Sequence, residues 1–410
     1  MGSPSTAPLW KFAEVSPPTP EFGNLSKHDE VTFIPLEDVW PSQSGEGFQT
    51  VPWHKKLIGY TQFRRGDLLL PKVTPTVTHG RTMIAQIPTE LGVASTEVYT
   101  VRPRPGTDSR WLAYLLVGIE FLGLAGASAQ GTGGLKRISA QFVESFPLPD
   151  SSPSVQRAIA DYLDRETGEI DAMSADLDEM EALLTERQAT AIGRHLCGSN
   201  APYAPIATMA EVTLGKMVQP ERKNTEEIEA PYLRAANISA PGQLDLTVKP
   251  KVMWFSQSEL SHLTLDRGDV VIVEGGAGYG RAALVGDALD GWAFQNSIVR
   301  VRPRSGIASG PYLAYALQHA QAQGHIEILV NTATLPHFTA EKVERFRLPL
   351  PPLEEQRRIA DQINRETVEI DAMLADIAEL RDLLAERRAA AISAAVAGQI
   401  HVPTPSKGAH

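Results

Sequence analysis

Two loops carry side chains that hydrogen-bond well to nucleic-acid bases, and they occupy equivalent places in the two halves of the chain. The loop in the first half spans 72–81, and its candidate residues are Lys72, Thr74, Thr76, Thr78, His79 and Arg81. The loop in the second half is the Gly-rich stretch 274–281, which ends in Tyr279 and Arg281. Arg and Lys recognise guanine edges, and Thr offers both a methyl and a hydroxyl group. We predict DNA contact at these loops, while ordinary solvated hairpin loops stay open as the alternative.

Weaker candidates for DNA contact are scattered through both halves. They are Lys136, Arg137, Lys223, Arg234, Asn237, Asn296, Asn331, Thr332 and His337. Asn is the residue type that pairs with adenine, and the basic residues suit guanine or phosphate.

Motifs that would carry catalysis are absent from the sequence. The 274–281 loop lacks the Lys-Ser/Thr pair of a phosphate-binding P-loop, and neither HExxH nor GxSxG occurs. The ten histidines are scattered, and Cys197 is the single cysteine, so no spacing typical of a metal site appears. We therefore predict a non-catalytic chain that itself binds neither a metal nor a cofactor.

The chain contains an internal repeat at an offset of 200 residues. Gln156–Gly198 aligns without gaps on Gln356–Gly398, with 24 of 43 positions identical. Val101-Arg102-Pro103-Arg104 matches residues 301–304 at the same offset, and Arg65-Gly66-Asp67 matches Arg267-Gly268-Asp269 with a two-residue slip. The sequence thus reads as a tandem duplication with two variable halves, each followed by a well-matched segment.

The matched segments show the 3.5-residue apolar period of a coiled coil. The seam positions are Ile159, Leu163, Ile170, Met173, Leu177 and Leu184 in the first copy, and Ile359, Ile363, Ile370, Met373, Ile377 and Leu384 in the second. About 40 helical residues give a rod of about 60 Å. We predict that the two rods form an antiparallel coiled coil and serve as a partner interface.

Charged residues also fall on the predicted seam. Glu166 and Arg187 occupy seam positions in the first copy, and Glu366 and Arg387 occupy them in the second. In an antiparallel pair these opposite charges can meet across the seam and fix its register. The alternative is that their charged ends simply reach solvent.

The predicted fold class is α+β, with two tandem mixed domains separated by the rods in a pseudo-twofold arrangement. The boundaries are 1–150 and 201–350 for the globular domains, 151–200 and 351–402 for the rods, and 403–410 for a disordered tail. Residues 270–273 and 297–301 have the composition of strands, and helices are expected near 111–116 and 311–321. Pro-rich text at 146–149 and 348–352 predicts stiff connections leading into each rod.

The formal charge of −11 at first argues against nucleic acid as a partner. Divided by segment, it places −6 on the first rod, −3 on the second rod with its tail, and −1 on each globular half. A near-neutral domain can still present a basic face, so the net charge does not exclude DNA as a partner. We nevertheless expect the chain alone to bind DNA weakly. The absence of a signal-like N-terminus and of an unbroken apolar span predicts a soluble cytoplasmic protein without membrane contact.

The sequence resembles the specificity subunit of type I restriction-modification systems (HsdS). The resemblance rests on stretches of the second half and its rod: Tyr232-Leu233-Arg234-Ala235-Ala236-Asn237-Ile238, Arg267-Gly268-Asp269-Val270-Val271, Leu348-Pro349-Leu350-Pro351-Pro352-Leu353-Glu354-Glu355-Gln356, Leu384-Ala385-Glu386-Arg387-Arg388 and Ala395-Val396-Ala397-Gly398-Gln399-Ile400. The first half departs from the family pattern, because it opens with the Pro-rich stretch 16–20 in place of a short helix and strand, and retains only Leu148-Pro149 of the proline signature.

The resemblance implies two target-recognition domains, each reading one half of a bipartite double-stranded DNA site. It implies two modification subunits as partners, which hold S-adenosylmethionine and methylate adenine, and restriction subunits that can join with ATP and Mg²⁺. It also implies a bacterial or archaeal cytoplasm and association with the nucleoid. Two other classes stay open at this point: a coiled-coil scaffold whose globular halves bind protein, and an enzyme in its own right.

Overall fold

The chain forms two compact units in a computed structural model. The structure describes residues 5–41, 47–131, 135–197, 201–238, 242, 244–246, 249–286, 289, 291–330 and 336–397. Unit 1 comprises Met1–Leu177 with Ala378–His410, and unit 2 comprises Asp178–Ile377. Each unit therefore combines one globular half with parts of both long helices, and the predicted linear domain boundaries stay a prediction.

Unit 1 is a mixed α+β structure built on two small sheets and a two-stranded ribbon. Its strands are β1 (Thr6–Pro8), β2 (Ala13–Val15), β3 (Glu30–Ile34), β4 (Thr50–Pro52), β5 (Thr61–Arg64), β6 (Leu68–Pro71), β7 (Met83–Ile84), β8 (Leu91–Ala94), β9 (Val98–Pro103) and β10 (Pro147–Pro149). Its helices are α1 (Ser109–Val117), α2 (Ile119–Ser128), α3 (Ala140–Ser145) and the first part of the long helix α4 (Pro153–Cys197). The sheets have the strand orders β2-β9-β6-β7 and β4-β3-β8-β5, and β1 pairs with β10.

Unit 2 repeats this plan. Its strands are β11 (Tyr203–Pro205), β12 (Ala210–Leu214), β13 (Ile228–Leu233), β14 (Lys251–Phe255), β15 (Val270–Val273), β16 (Ala282–Leu284), β17 (Ala293–Phe294), β18 (Ile298–Pro303) and β19 (Arg347–Pro349). Its helices are α5 (Ile206–Met209), α6 (Gln257–Leu263), α7 (Gly310–Ala322), α8 (His325–Val330), α9 (Ala340–Arg345) and the first part of α10 (Leu353–Val396). The sheets have the orders β12-β18-β15-β16 and β14-β13-β17, and β11 pairs with β19.

The central sheets of the two units match in register as well as in order. Val101 of β9 stands opposite Leu68 of β6, and Val301 of β18 stands opposite Val270 of β15. In the second sheet of each unit, one parallel pair joins β3 to β8 and β13 to β17. The predicted fold class and the predicted strands and helices are confirmed, and the duplication extends to the strand pairing.

The repeated Arg-Gly-Asp and Val-Arg-Pro-Arg sequences form one buried ion pair per unit. The Arg102 guanidinium donates two hydrogen bonds to the Asp67 carboxylate, at 2.9 and 2.8 Å. Arg302 and Asp269 make the same pair in unit 2, at 2.8 and 2.7 Å. Because the carboxylates are 3% and 1% exposed, these pairs fasten the turn before β6 and β15 to the neighbouring strand.

A buried glutamine joins each long helix to its globular half. The side-chain oxygen of Gln156 accepts from the backbone N–H of Asp108 at 3.0 Å, and that of Gln356 accepts from Ser309 at 2.9 Å. Gln356 also donates to the carbonyls of Ile307 and Pro351, at 3.0 and 2.9 Å. These bonds explain why Gln stands at this position in both copies, since an unpaired buried amide is costly.

The predicted long helices are confirmed as α4 and α10, and they pack antiparallel within each unit. Most predicted seam residues are buried: Ile159, Leu163, Ile170, Leu184, Ile359, Ile363, Ile370 and Ile377. Leu177 and Leu384 are half-buried, whereas Met173 and Met373 are 42% and 47% exposed. Met173 and Met373 thus lie on the seam face without being enclosed by the helix pair, and their role at a partner interface stays a prediction.

The predicted charge pairing across the seam is half confirmed. In unit 1, Arg387 contacts Glu166 at 3.2 Å, and Arg388 pairs with Asp171. In unit 2, Glu366 contacts His195 and Arg194, at 2.9 and 3.5 Å, in place of the expected Arg187. The contacts between α4 and α10 therefore use different charged residues in the two units.

The structure corrects the expectation about the chain leading into each rod. The Pro-rich segments form the strands β10 and β19, which pair with β1 and β11, and their central residues Leu148 and Leu348 are buried. Proline fits there because a two-stranded ribbon leaves every second backbone N–H without a partner strand. At the start of the chain, a 3₁₀ turn at Leu9–Lys11 and β2 occupy in unit 1 the place that α5 and β12 occupy in unit 2. The predicted tail 403–410 lies outside the described residues.

Within the described ranges, no single helix is long and apolar enough to cross a membrane. The bent pair α1–α2 would meet that requirement by length and composition only.

Candidate nucleic-acid interface

Three turns meet at one edge of unit 2, and Ser297 joins them. Its hydroxyl accepts from the backbone N–H of Ala235 at 3.2 Å, and its carbonyl accepts from the N–H of Glu274 at 2.9 Å. The turn 234–237, the start of the 274–281 loop and the turn 295–297 therefore lie side by side. We call this edge, with His337, the second edge.

His337 joins the second edge from a distant part of the sequence. Its Nδ1 lies 3.0 Å from the Glu274 carboxylate, and the backbone N–H of Phe338 donates to the Glu274 carbonyl at 2.7 Å. A Cβ atom at Gly275 would lie 2.5 Å from the same imidazole nitrogen, so glycine is required for this approach. Asn331 and Thr332, predicted together with His337, lie outside the described residues.

The 274–281 loop is a tight hairpin between β15 and β16. The N–H of Gly280 donates to the Val273 carbonyl, and the N–H of Val273 donates to the Arg281 carbonyl, both at 2.9 Å. The Tyr279 carbonyl accepts from Gln321 at 3.1 Å, while its half-buried ring packs on the core. Arg281 is half-buried, and its side chain lies across Gly278, with Nη1 3.4 Å from the Cβ position there. Arg281 thus follows the outer surface of the loop.

The other predicted residues of unit 2 divide into buried and exposed groups. Asn237 is 3% exposed, and its side chain accepts from the Arg234 N–H and donates to the Asp245 carbonyl, at 3.1 and 3.0 Å. The prediction of base contact by Asn237 is contradicted, because the residue is buried within the turn that it stabilises. Arg234 and Asn296 are half-buried at the second edge, and Lys223 is exposed on the 217–227 segment.

Unit 1 presents an equivalent edge, which brings together two predicted segments. The Lys72 N–H donates to the Glu97 carbonyl at 2.8 Å, which is the counterpart of the bond between Glu274 and Ser297. The N–H of Thr74 donates to the Lys136 carbonyl, and that of Ile138 to the Lys72 carbonyl, both at 2.9 Å. The 72–81 loop and the 136–138 segment form the first edge, together with the turn at 95–97.

The cations of the first edge are bound to groups of their own unit. Lys72 Nζ donates to the Thr96 carbonyl at 2.7 Å and lies 4.6 Å from the centre of the Tyr99 ring, and its burial lowers the pKa of the ammonium. Arg137 donates to both oxygens of Glu97 at 2.7 and 2.8 Å, which lowers the pKa of that carboxyl. Glu97 therefore offsets part of the positive charge at this edge.

Arg81 holds a turn together. Its guanidinium donates to the carbonyls of Val39 and Leu36, at 3.2 and 3.1 Å, and to that of Glu37. It also lies 4.2 Å from the centre of the Trp40 ring, which is 42% exposed. Two of its three nitrogens, Nε and Nη2, thus stabilise this turn, and DNA contact by Arg81 stays a prediction. Sequence reasoning missed Trp40, whose only signal was an aromatic residue in a polar loop.

The threonines of the first edge mostly stabilise the loop itself. Thr78 donates to the Pro75 carbonyl at 2.8 Å, and Thr74 to the Lys136 carbonyl at 3.3 Å. Thr76 is half-buried before a 3₁₀ turn at Val77–His79 that ends at Gly80, with φ of 68°. His79 is exposed and lines a cavity of about 740 Å³ with Trp40 and Tyr114.

Each edge combines backbone and side-chain groups from separate loops. Donors from loops far apart in sequence meet on each edge, which suits hydrogen bonding to bases and phosphates. Among the described residues, no group of three or more His, Cys, Asp or Glu could hold a metal ion.

The chain is similar to known proteins in sequence and in fold. Residues 206–372 match the family model of the type I restriction modification DNA specificity domain. The chain is 25% identical over 194 residues to the Escherichia coli type I restriction enzyme EcoEI specificity subunit, a match covering 43% of this chain and 32% of that one. It is 28% identical over 146 residues to the EcoAI specificity subunit of the same organism, covering 34% and 24% of the two chains. The matched regions thus span no more than a third of these relatives.

One solved structure shares the fold along the whole chain. A chain from a study of the complex assembly and conformational transition of the type I R-M system superimposes with a TM-score of 0.60 at 16% identity. The superposition covers 98% of this chain and 99% of that chain.

Proposed function

We propose that the chain is a specificity subunit of the HsdS family of type I restriction-modification systems and that it selects the DNA target of such a system. Each unit reads one half of a bipartite double-stranded site, unit 1 through the first edge and unit 2 through the second. The chain serves recognition, and the chemistry belongs to partner subunits. The alternative of a scaffold that binds only protein is not favoured by the family match.

One observation carries the proposal: the two edges share a backbone arrangement and differ in side chains. Lys72, Glu97 and Arg137 occupy one edge where Glu274, Ser297 and His337 occupy the other, and the linking backbone hydrogen bonds correspond. Variable side chains on a common scaffold are what recognition of two unrelated half-sites requires. Phosphate contacts position such a reader, and base contacts specify the sequence.

The proposed partners are duplex DNA and two modification subunits, with restriction subunits able to join. S-adenosylmethionine belongs to the modification subunits, and ATP with Mg²⁺ to a restriction subunit. The exposed Met173 and Met373, on helices whose segments carry −6 and −3, offer mixed apolar and acidic surfaces for docking. We place the complex in the cytoplasm at the nucleoid, and its recognition domains at 1–150 and 201–350.

Genome-wide mapping of methylated adenine tests the proposal. Cells carrying an active modification partner are compared with and without this chain. One bipartite motif that is methylated only in the presence of the chain supports the function. Identical methylation in both strains refutes it.

Arg281→Ala tests whether the second edge reads sequence. If Arg281 contacts a base, the substitution weakens target binding by about 1–3 kcal/mol and relaxes one half-site only. Arg267→Ala is the matched control, because Arg267 precedes β15 and Arg281 follows the turn at its opposite end. A methylation motif unchanged in Arg281→Ala removes this residue from the readout.

A further inference from the structure

Strand β12 leads into a short segment whose apolar side chains are exposed. Leu214 is 45% exposed, Met217 74% and Val218 47%. Single exposed apolar residues are ordinary on protein surfaces, but three within five residues form a patch that calls for a binding partner.

The backbone on both sides of Met217 and Val218 is fixed. The N–H of Gly215 donates to the Ile298 carbonyl, and that of Lys216 to the Phe294 carbonyl, both at 3.1 Å. On the far side, the Gln219 carbonyl accepts from the Trp254 N–H, also at 3.1 Å. The segment is thus held between two anchored points, which lowers the entropy lost when its side chains bind a ligand.

Lys216 adds a side-chain anchor. Its Nζ donates to Glu259 at 2.6 Å and to the Trp254 carbonyl at 3.0 Å, and its side chain is only 13% exposed. The lysine therefore points inward, while the apolar residues that follow it are exposed to solvent.

Met217 and Val218 lie next to the second edge. The Asn296 N–H donates to the Lys216 carbonyl at 2.9 Å. A Cβ at Gly215 would lie 2.3 Å from the Gln295 carbonyl oxygen, so glycine allows the segment to approach the 295–297 turn closely. On the other side, the sequence continues into Arg222, 5.1 Å from the Trp254 ring centre, and the exposed Lys223. Apolar groups between polar donors and cations match the surface of duplex DNA, where base edges lie between phosphates.

We infer that Met217, supported by Val218, contacts a thymine methyl group in the half-site bound by unit 2. The inference rests on the proposed function. The thymine methyl is the apolar group that a base presents in the major groove, and a side chain that cannot hydrogen-bond distinguishes thymine by that group. A search of the sequence for hydrogen-bonding side chains does not identify an apolar residue that contacts a base.

Uracil substitution tests the contact, since it removes only the methyl group. The complex of the full chain with its modification subunits is titrated with a duplex carrying the mapped target, and each thymine of the second half-site is replaced in turn. With the protein carrying no substitution, we expect uracil at one of these positions to weaken binding of the duplex about fourfold. This is the effect of losing one buried methyl group. Met217→Ala should weaken binding to the thymine duplex and lose this discrimination, whereas Met217→Leu should retain it.

Ile307→Ala is the matched control, because Ile307 is 41% exposed and follows β18 at the end remote from Asn296. It should leave the uracil effect unchanged. Discrimination retained in Met217→Ala, or no uracil effect at any position, overturns the inference. Loss of subunit assembly in Met217→Ala also overturns it, and assigns the patch to a protein partner. Failure of the unsubstituted complex to prefer the mapped target over a scrambled duplex instead refutes the proposed function, and the inference with it.

Discussion

The buried ion pair of unit 1 gives a direct test of how the repeated Arg-Gly-Asp sequence stabilises the fold. We consider Asp67→Asn, which keeps the shape of the side chain and removes its charge. The Asp67 carboxylate accepts from Arg102 Nε and Nη2 at 2.9 and 2.8 Å, and from the backbone N–H of Arg64 at 2.7 Å. Asparagine retains one acceptor oxygen and turns an amide NH₂ toward either the guanidinium or the Arg64 N–H.

The expected cost follows from what remains around the arginine. Removing one partner of a buried pair costs about 3–5 kcal/mol, because the other charge is left without compensation. The Arg102 guanidinium keeps hydrogen bonds to the Pro18 carbonyl at 3.1 Å and to the Thr19 hydroxyl at 3.0 Å. Since these bonds offset part of the loss, we expect the lower limit, about 3 kcal/mol of local stability.

Hydrogen exchange measured by mass spectrometry separates the two units within one molecule. A loss of about 3 kcal/mol accelerates exchange of the protected amides in β6 and β9 by about a hundredfold. The β15 and β18 amides should be unaffected, and Asp269→Asn should reverse the pattern, since Asp269 pairs with Arg302 in the same way.

Two outcomes would refute this reasoning. Acceleration of less than about fivefold in Asp67→Asn, equivalent to about 1 kcal/mol, would mean that the ion pair contributes little beyond packing. Equal acceleration in both units would mean that the effect is not local.

Two further perturbations address the second edge and the helix pair. Gly275→Ala places a methyl group against the His337 imidazole, where the Cβ would lie 2.5 Å from Nδ1, and we expect a cost of about 1–3 kcal/mol in unfolding free energy and weaker target binding. Gly286→Ala, with open space at its Cβ, should change neither the denaturant unfolding curve nor the binding titration. The hydrogen bond with His195 lowers the pKa of Glu366 in the folded chain. The stability that this bond contributes is therefore fully present above the unfolded carboxyl pKa of about 4.3, and it is lost as the pH falls through the folded pKa. In His195→Ala, which removes the donor, carboxyl NMR should show the Glu366 pKa moving up toward its ordinary value, and an unmoved titration would rule out this coupling.

Repeats and local periodicity were readable from the sequence, because they depend on neighbouring residues. The 200-residue duplication and the 3.5-residue period predicted α4 and α10, and the strands at 270–273 and 297–301 followed from their apolar composition. The antiparallel pairing was predictable in part, since Glu166 and Arg387 are opposite charges on matching seam positions. Met173 and Met373 show the limit of that argument, because a seam position is buried only where the partner helix covers it.

The composition of the two edges was decided by tertiary structure, because each edge gathers groups that are distant in sequence. The Arg81 guanidinium binds carbonyls more than 40 residues away, and Arg137 likewise binds Glu97 across 40 residues. Asn237 is buried in the turn that it stabilises, whereas Met217 is exposed and follows Lys216, whose carbonyl accepts from the Asn296 N–H. The sequence alone determined that the chain has two similar halves on paired helices. Which side chains each half offers to DNA depended on hydrogen-bond partners that only the folded chain brings together.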